Sequence, residues 1–321
     1  MQTRDVRFHN RGESLAGTLH LPDRIEGLIP GIVQGPGWLG LRDAKLYQPY
    51  HEALTDAGFG VLALDYRGFG DSGGDATFLD PMDQVSDIRA GLTFLESLPE
   101  FDSRRLGLFG SGGTGGGNAI VAAGLDGRVR AVVSQVPVSD GRDWLHRTRP
   151  EHAWLTFLDD VRDAQRRYVA DDELLMASPR NELMVPIPQR EQLAVKKDVD
   201  DRVPKQVALL SAASIMEYRP VDFVARIAPR AVMIIAVEHD AVTPEDHAQA
   251  LYLAAGAPKR LIVQTDTTHY GAYAQYRDLV NPMIVDWFTT HLRTGELHVH
   301  QALDEHGVTY LSRPARSETP T

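Results

Sequence analysis

The chain has 321 residues, 43% of them hydrophobic, which is enough for one large α/β domain or for a core domain with an inserted segment. Its formal net charge of -11 argues against nucleic acid as the main partner, and the lack of cysteine excludes disulfides, thiolate chemistry and cysteine-ligated metals. Neither a secretory signal nor an apolar run of roughly 18 residues is visible, so we expect a cytoplasmic protein that needs no membrane.

Short apolar runs alternate with longer segments of helical periodicity in the first half of the chain. The predicted strands cover residues 15–21, 28–34, 60–65, 105–110 and 129–136. The predicted helices cover residues 44–58, 81–98 and 116–124. This alternation is typical of a mostly parallel sheet with helices on both faces, which places the chain in the α/β class.

The rhythm breaks in the middle of the chain. Residues 142–222 contain an amphipathic helix and then a stretch with prolines at 179, 186, 188 and 204 but no clear apolar strand, and we interpret them as an inserted helical cap. The alternation then resumes with strands and helices at residues 230–237, 244–256, 260–265 and 272–292. The expected organisation is a core formed by residues 1–141 and 223–311, the cap, and a disordered tail at 312–321.

A run of six glycines with one serine and one threonine lies at residues 110–117, at the end of the strand that begins at Arg105. The stretch LGLFGSGGTGGG predicts a strand, a tight turn and a helix, which is the setting of a nucleophile elbow. A dinucleotide-binding loop is the alternative, because Gly110, Gly112 and Gly115 fit G-x-G-x-x-G. That match is weak, since the unit lies mid-chain and no phosphate-binding lysine follows.

Four motifs in order resemble the α/β-hydrolase fold family, in particular its dienelactone-hydrolase-like branch and its acetyl-esterase or dipeptidyl-peptidase-like branch. They are YRGFGDSGG at 66–74, RLGLFGSGGTGGG at 105–117, VEHDAVTP at 237–244 and TTHYGAY at 267–273. The resemblance covers almost the whole chain. It implies an α/β-hydrolase fold with an inserted cap and a site ordered as nucleophile, acid and histidine.

The resemblance assigns two catalytic residues directly. Asp240 follows a buried-type strand where the family places its acid, and His269 follows the next strand where the family places its base. A carboxylate that orients an imidazole and supports its charged form is what activation of a nucleophile or of water requires.

The third catalytic position is atypical. Counted from the strand, Gly110 is the small residue before the nucleophile, so Gly112 occupies the position expected for serine. Ser111 comes one residue early, and Thr114 fits the same pattern between Gly112 and Gly116 if the strand continues two residues further. On the first register we expect Gly112→Ser to gain esterase activity. The sequence alone does not distinguish a native glycine from an engineered one.

The oxyanion loop also departs from the family pattern. The family often has His-Gly-x after its third strand, whereas this chain has VQGPGWLG at 33–40. Gln34 replaces the histidine, and Pro36 has no N–H to donate. Gly37, Trp38 and Gly113 are therefore the candidate backbone donors, and Gln34 is a further candidate for binding the oxyanion or the substrate.

These residues predict hydrolysis of an ester, an amide or a C–C bond in a carbonyl-containing small molecule, with no cofactor and no metal. Two alternatives stay open: lyase or hydratase chemistry with His269 as base, and a pseudo-hydrolase that binds a ligand without turnover. The HVH triplet at 298–300 is a weak metal candidate without an obvious acidic partner. We expect the cap to shape substrate choice, and the sequence leaves the oligomeric state open, a homodimer included.

Overall fold

A nine-stranded sheet forms the centre of the computed structural model, which describes residues 1–184, 200–293 and 306–312. The strands of this sheet are β1 (Gln2–Asn10), β2 (Glu13–Leu21), β3 (Ile29–Gly35), β4 (Gly60–Leu64), β5 (Phe101–Gly113), β6 (Val129–Pro137), β9 (Ala231–Val237), β10 (Lys259–Gln264) and β11 (His306–Leu311). Their spatial order is β1-β2-β4-β3-β5-β6-β9-β10-β11, and every pair from β4 to β11 is parallel.

Helices cover both faces of this sheet. The α-helices of the described residues are α1 (Gln48–Asp56), α2 (Pro81–Ser97), α3 (Thr114–Leu125), α4 (Gly141–Arg147), α5 (Glu151–Asp171), α6 (Ser211–Glu217), α7 (Val221–Val224), α8 (Glu245–Ala254), α9 (Gly271–Gln275) and α10 (Arg277–Leu292). α1 and α10 pack on one face, whereas α2, α3 and α8 pack on the other. The central strands are therefore buried on both sides, and β4 and β9 are buried at every position.

The segment between β6 and β9 contributes helices rather than strands to the large sheet. It contains α4 to α7, a π-helical turn at Pro179–Leu183 and the two short strands β7 (Met176–Ala177) and β8 (Val207–Ala208), which pair only with each other. The indole of Trp144 on α4 donates a hydrogen bond of 2.9 Å to the carbonyl of Val242, in the loop after β9. The start of this insertion thus contacts the loop that carries the predicted acid.

The predicted α/β-hydrolase architecture is confirmed, with three differences in extent. β5 continues to Gly113, three residues beyond its predicted end, because the ladder with β6 extends as far as the pairing of Gly113 with Pro137. The edge strands β1 and β11 were not predicted. In β1 only Phe8 is buried, so the strand has no apolar pattern that would announce it. The tail from residue 313 and the HVH triplet lie outside the described residues.

Parallel strands place their carboxyl ends at one edge of the sheet, and ligands of open α/β folds bind outside that edge. β3, β5, β9 and β10 end there at Gly35, Gly113, Val237 and Gln264. The loops that follow these four strands carry the predicted oxyanion loop, elbow, acid and histidine.

Candidate active site

Asp240 and His269 form a buried hydrogen-bonded unit. His269 Nδ1 lies 2.7 Å from Asp240 Oδ2, and both side chains are at least 95% buried. Thr243 Oγ1 donates to the same carboxylate oxygen at 3.1 Å and lies 3.2 Å from His269 Nδ1. The imidazole is therefore held from its Nδ1 side, which leaves Nε2 on the opposite edge of the ring.

The environment of Asp240 favours its charged form. Burial opposes ionisation, but the neighbouring His269 and hydrogen bonds from His269 and from the backbone N–H groups of Val242 and Thr243 outweigh it, so the pKa of Asp240 lies below its usual value. An ionised Asp240 accepts a hydrogen bond from Nδ1–H of His269. In this tautomer of the imidazole, Nε2 is unprotonated and can act as a base.

Gly113 carries the sharp turn between strand and helix. β5 ends at Gly113, and α3 begins at Thr114. Gly113 has φ of 62° and ψ of -103°, while Gly112 before it has φ of 79°. Residues with side chains rarely adopt such positive φ values, but a nucleophile elbow holds its central residue in a strained turn of this kind. The strand register predicted the nucleophile position at Gly112, and the sharp turn lies one residue later, at Gly113.

Two glycines that flank the turn are required by close packing. A side chain on Gly110 would lie 2.6 Å from Ala119 Cβ and would collide with the carbonyl of Gly115, and a side chain on Gly115 would collide with the carbonyl of Pro36. Gly110 precedes Gly112 by two residues, whereas Gly115 follows Gly113 by two. Centred on Gly113, the pattern small-x-nucleophile-x-small is met by Ser111 and Gly115, one residue beyond the register predicted from the strand.

The two glycines of the turn differ in the space around them. A Cβ on Gly113 would lie 3.4 Å from Thr243 Cγ2 and 3.8 Å from Val138 Cγ2, which are ordinary contacts. A Cβ on Gly112 would lie 3.2 Å from Gly37 Cα, which is a tight contact with backbone. Gly113 is thus the more open position, and it faces the threonine that holds Asp240 and His269.

Neither of the two candidate hydroxyl nucleophiles lines the cavity at the elbow. Ser111 is fully buried, and its Oγ lies 2.6 Å from the hydroxyl of Tyr273. Thr114 is also buried, and its Oγ1 has no hydrogen-bond partner within the described part of the chain. The structure thus brings Gly112, Gly113 and His269 to the cavity and leaves both hydroxyls behind its wall.

The oxyanion loop packs directly against the elbow. Trp38 donates its backbone N–H to the carbonyl of Gly112 at 3.1 Å, and Gly37 donates its N–H to the hydroxyl of Tyr47 at 3.0 Å. A side chain on Gly37 would lie 2.6 Å from the carbonyl oxygen of Gly112, so only glycine permits this approach. Both predicted loop donors are therefore engaged within the protein.

Gln34, the remaining candidate of the oxyanion group, lies away from the cavity. Its side chain is fully buried, and its Oε1 is 2.9 Å from His51 Nε2. Successive side chains of a strand point to opposite faces of the sheet. Near the end of β3, the side chain of Gln34 points to the face that α1 covers.

A cavity of about 740 Å³ opens in front of His269. Large apolar and aromatic side chains from the core and from the insertion form much of its wall: Trp38, Leu39, Leu41, Tyr47, Trp144, Met184, Val203, Val242, Tyr270 and Tyr273. Trp38 and Trp144 meet edge to face, with ring centroids 5.3 Å apart. Charged side chains also line it, namely Asp43, Lys45, Arg180, Asp200 and Arg202.

Three residues of this site were missed as functional candidates. Thr243 was noted only as part of the motif around the acid, and Tyr273 only as part of the motif around the histidine. Trp144, in the predicted cap, lines the cavity and donates a hydrogen bond to the Val242 carbonyl. The contacts of Trp144 and Tyr273 span 98 and 162 residues of chain, which no local pattern reveals, whereas those of Thr243 span 3 and 26.

The family of the chain follows from its sequence between residues 41 and 270, which matches the model Hydrolase_4, described as serine aminopeptidase S33. This match covers more than half of the chain. The chain belongs to the Hydrolase_4 family of α/β hydrolases. The predicted membership in the α/β-hydrolase superfamily is thereby confirmed.

Three proteins are similar to this hydrolase over most of its length. A 31.7 kDa protein from the traX-finO intergenic region of Escherichia coli is 29% identical over 295 residues, covering 89% of this chain and 99% of the relative. The thiohydrolase aneE of Aspergillus aculeatus is 24% identical over 286 residues, covering 81% and 84%. The structure of DcsB in complex with its substrate analogue superposes with a TM-score of 0.78 at 19% identity, covering 91% of this chain and all of that one.

Neither a metal-binding cluster nor a membrane-spanning helix occurs among the described residues. No group of three or more histidine, aspartate or glutamate side chains there is arranged to hold a metal ion. Within the same ranges, no helix combines the length and the apolar character that crossing a membrane requires.

Proposed function

We propose that this hydrolase cleaves a carbonyl-containing small molecule by direct attack of water, with His269 as general base and Asp240 as its orienting carboxylate. One observation carries the proposal. The bonded pair of Asp240 and His269 faces an elbow at which two glycines, Gly112 and Gly113, take the place of a side-chain nucleophile. A catalytic base is thus present, and the space in front of it is open to water.

The chemistry requires only groups that the chain supplies. His269 Nε2 takes a proton from water as the oxygen attacks the carbonyl carbon, and the carbonyl oxygen becomes an oxyanion. The tetrahedral intermediate then expels its alcohol, thiol or amine, which receives the proton from the imidazolium, and the acid is released. Asp240 stabilises the imidazolium between these two steps.

The first N–H groups of α3 favour an oxyanion at the elbow, next to the N-terminus of this helix. They have no intrahelical acceptor, α3 has no side-chain cap, and the helix begins directly after Gly113. The partial positive charge of a helix N-terminus stabilises developing negative charge at such a turn.

The cavity wall indicates the class of substrate. Aromatic and aliphatic side chains near the elbow suit an apolar acyl group, and a cavity of about 740 Å³ accommodates a molecule of drug-like size. Several relatives are named thiohydrolases. We therefore place thioesters beside oxygen esters as the first substrates to test.

The test is steady-state hydrolysis of p-nitrophenyl esters and matched acyl thioesters of increasing chain length. We expect turnover by the native chain, improvement from acetyl to longer acyl groups, and a loss of roughly 10²- to 10⁴-fold in kcat for His269→Ala. An equal rate in native protein and His269→Ala would overturn the proposal.

Two other functions remain as outcomes of the same experiment. Saturable binding of the esters without turnover would identify a ligand-binding pseudo-hydrolase, which the engagement of Gly37 and Trp38 as donors favours. A His269-dependent rearrangement or elimination product without released acid would identify lyase or hydratase chemistry.

A further inference from the structure

The hydroxyl of Tyr273 is a polar side-chain group at the elbow that the reaction described above does not use. Tyr273 lines the cavity together with Gly112, Gly113 and His269. Its hydroxyl would lie 3.8 Å from a Cβ placed on Gly112, and its ring centroid is 6.3 Å from that of His269. The phenol therefore borders the space between the base and the turn.

The usual source of oxyanion donors is engaged elsewhere. The N–H of Trp38 is bonded to the Gly112 carbonyl, the N–H of Gly37 is bonded to Tyr47, and Pro36 has none. A carbonyl oxygen bound at the elbow thus finds no free backbone donor at Pro36, Gly37 or Trp38. A donor from another element is needed if the oxyanion is to be stabilised from that side.

Ser111 holds the hydroxyl of Tyr273 through a hydrogen bond. Ser111 Oγ and Tyr273 Oη are 2.6 Å apart, and Ser111 is fully buried. A phenol has one proton, so when Ser111 donates to Tyr273, the proton of Tyr273 is free to point at a ligand. Burial also raises the pKa of Tyr273 well above its ordinary value, which keeps the phenol protonated in neutral and mildly alkaline solution.

We propose that Tyr273 donates a hydrogen bond to the carbonyl oxygen of the substrate and to the oxyanion that forms from it, and that Ser111 is the positioning residue for this hydroxyl. This inference rests on the proposed hydrolytic function. It also gives Ser111 a role other than that of a nucleophile.

The experiment compares Tyr273→Phe and Ser111→Ala with Tyr276→Phe. Tyr276 is a buried tyrosine whose hydroxyl bonds to the Thr265 carbonyl and does not line the cavity, so its variant controls for the loss of a phenol hydrogen bond. Thermal unfolding verifies that each variant folds. We expect kcat to fall about 10²-fold for Tyr273→Phe with little change in KM, less for Ser111→Ala, and not at all for Tyr276→Phe.

A second measurement separates hydrogen bonding from structure. Sulfur is a weak acceptor, so a thionoester, whose carbonyl oxygen is replaced by sulfur, gains little from the phenol. The ratio of kcat for ester to kcat for thionoester should fall in Tyr273→Phe and in Ser111→Ala but stay constant in Tyr276→Phe. A purely structural role would leave this ratio unchanged.

The outcomes distinguish the two proposals. If His269→Ala abolishes turnover while Tyr273→Phe retains both kcat and the oxygen-to-sulfur ratio, the Tyr273 inference is overturned and the hydrolytic function stands. If turnover does not depend on His269, the proposed function fails. The Tyr273 comparison is then made on the acylation rate of Gly113→Ser, where an unchanged rate would overturn the inference as well.

Discussion

A single residue, Gly113, decides which chemistry this site can perform. Its backbone has the turn geometry of a nucleophile elbow, its Cβ position faces Thr243, and it has no side chain that could attack a carbonyl. In serine hydrolases, loss of the nucleophile costs about 10⁶-fold in rate, and the rest of the site retains roughly 10³–10⁴ over water. A chain with glycine at this position depends on that remainder and on its base.

Restoring a serine tests the position of the turn. We expect Gly113→Ser to acquire a burst of p-nitrophenol from p-nitrophenyl acetate, because the new hydroxyl lies beside the pair of Asp240 and His269. Gly112→Ser is the matched control, and it should show little burst because its Cβ presses on Gly37. Both variants should lose stability, by about 1–3 kcal/mol, since serine must adopt a positive φ.

The reverse result would contradict the structural register. A burst in Gly112→Ser alone would return the nucleophile position to the residue predicted from the strand. The same burst should disappear when either serine is combined with His269→Ala.

The residues of the site differ in how far the sequence predicts them. Asp240 and His269 are each preceded by a buried apolar strand, so their place at the sheet edge follows from the pattern. The elbow register does not follow, because a glycine run restricts neither φ nor side-chain contacts, and the strand can end at several residues without cost. The clash at Gly110 and the clash at Gly115 become visible only when the strand, the helix and the oxyanion loop are packed together.

At the scale of elements, β2 and α1 meet through a stacked pair of histidines, of which His51 is buried and His20 is half-buried. His20 and His51 stack with ring centroids 4.1 Å apart, and His51 bonds to Gln34 at the end of β3. Burial lowers the pKa of His20 to about 4 and that of His51 to about 3. Both are therefore neutral in the folded protein at neutral pH.

This pair predicts acid sensitivity with a definite sign. Because the folded pKa values lie below the ordinary value of 6.5, the unfolded chain binds more protons as the pH falls, and stability is lost from pH 6.5 down to about 4 for His20 and about 3 for His51. We expect His51→Gln to flatten the slope of the unfolding free energy with pH by up to about 1.4 kcal/mol per unit. Denaturant titration at a series of pH values measures this slope.

The matched control is His9→Gln, which replaces an exposed histidine on β1 and should leave the slope unchanged. If the slope of the unfolding free energy with pH is the same in His51→Gln as in the native protein, the pKa of His51 is not lowered in the folded state and the prediction is wrong.

The elements themselves follow from the sequence wherever both faces of a strand are buried. β4 and β9 are continuous apolar runs, and their prediction needs no knowledge of their neighbours. β1 is different, because it is mostly exposed and has no apolar pattern, and it pairs with β2 along its whole length. Edge strands of this kind are determined by their partner rather than by burial.

At the scale of the whole molecule, the insertion and the core share one cavity. Trp144 from α4 and Met184 line the cavity that His269 and Gly113 border, and the indole of Trp144 bonds to the loop after β9. Specificity in such folds is commonly carried by segments added to a rigid scaffold. Trp144 is the residue through which the prediction that residues 142–222 act as a specificity cap can be tested.

We expect Trp144→Phe to raise KM several-fold for the longer acyl substrates and to change kcat less, because the substitution removes part of the wall and the bond to Val242 but leaves the base in place. Trp154→Phe makes the same exchange on α5, at a buried residue that does not line the cavity, and should leave KM unchanged. Equal effects of the two substitutions would argue that the insertion only stabilises the fold.

The central claim is that water attacks the substrate directly, without a covalent acyl-enzyme. The measurement that tests it most directly is intact-protein mass spectrometry on samples quenched during ester or thioester turnover. The native chain should keep its unmodified mass while substrate is consumed, whereas Gly113→Ser should gain the mass of one acyl group. An acyl adduct on the native chain, located at Ser111, Thr114 or Tyr273 by fragmentation, would contradict the claim and would identify the nucleophile.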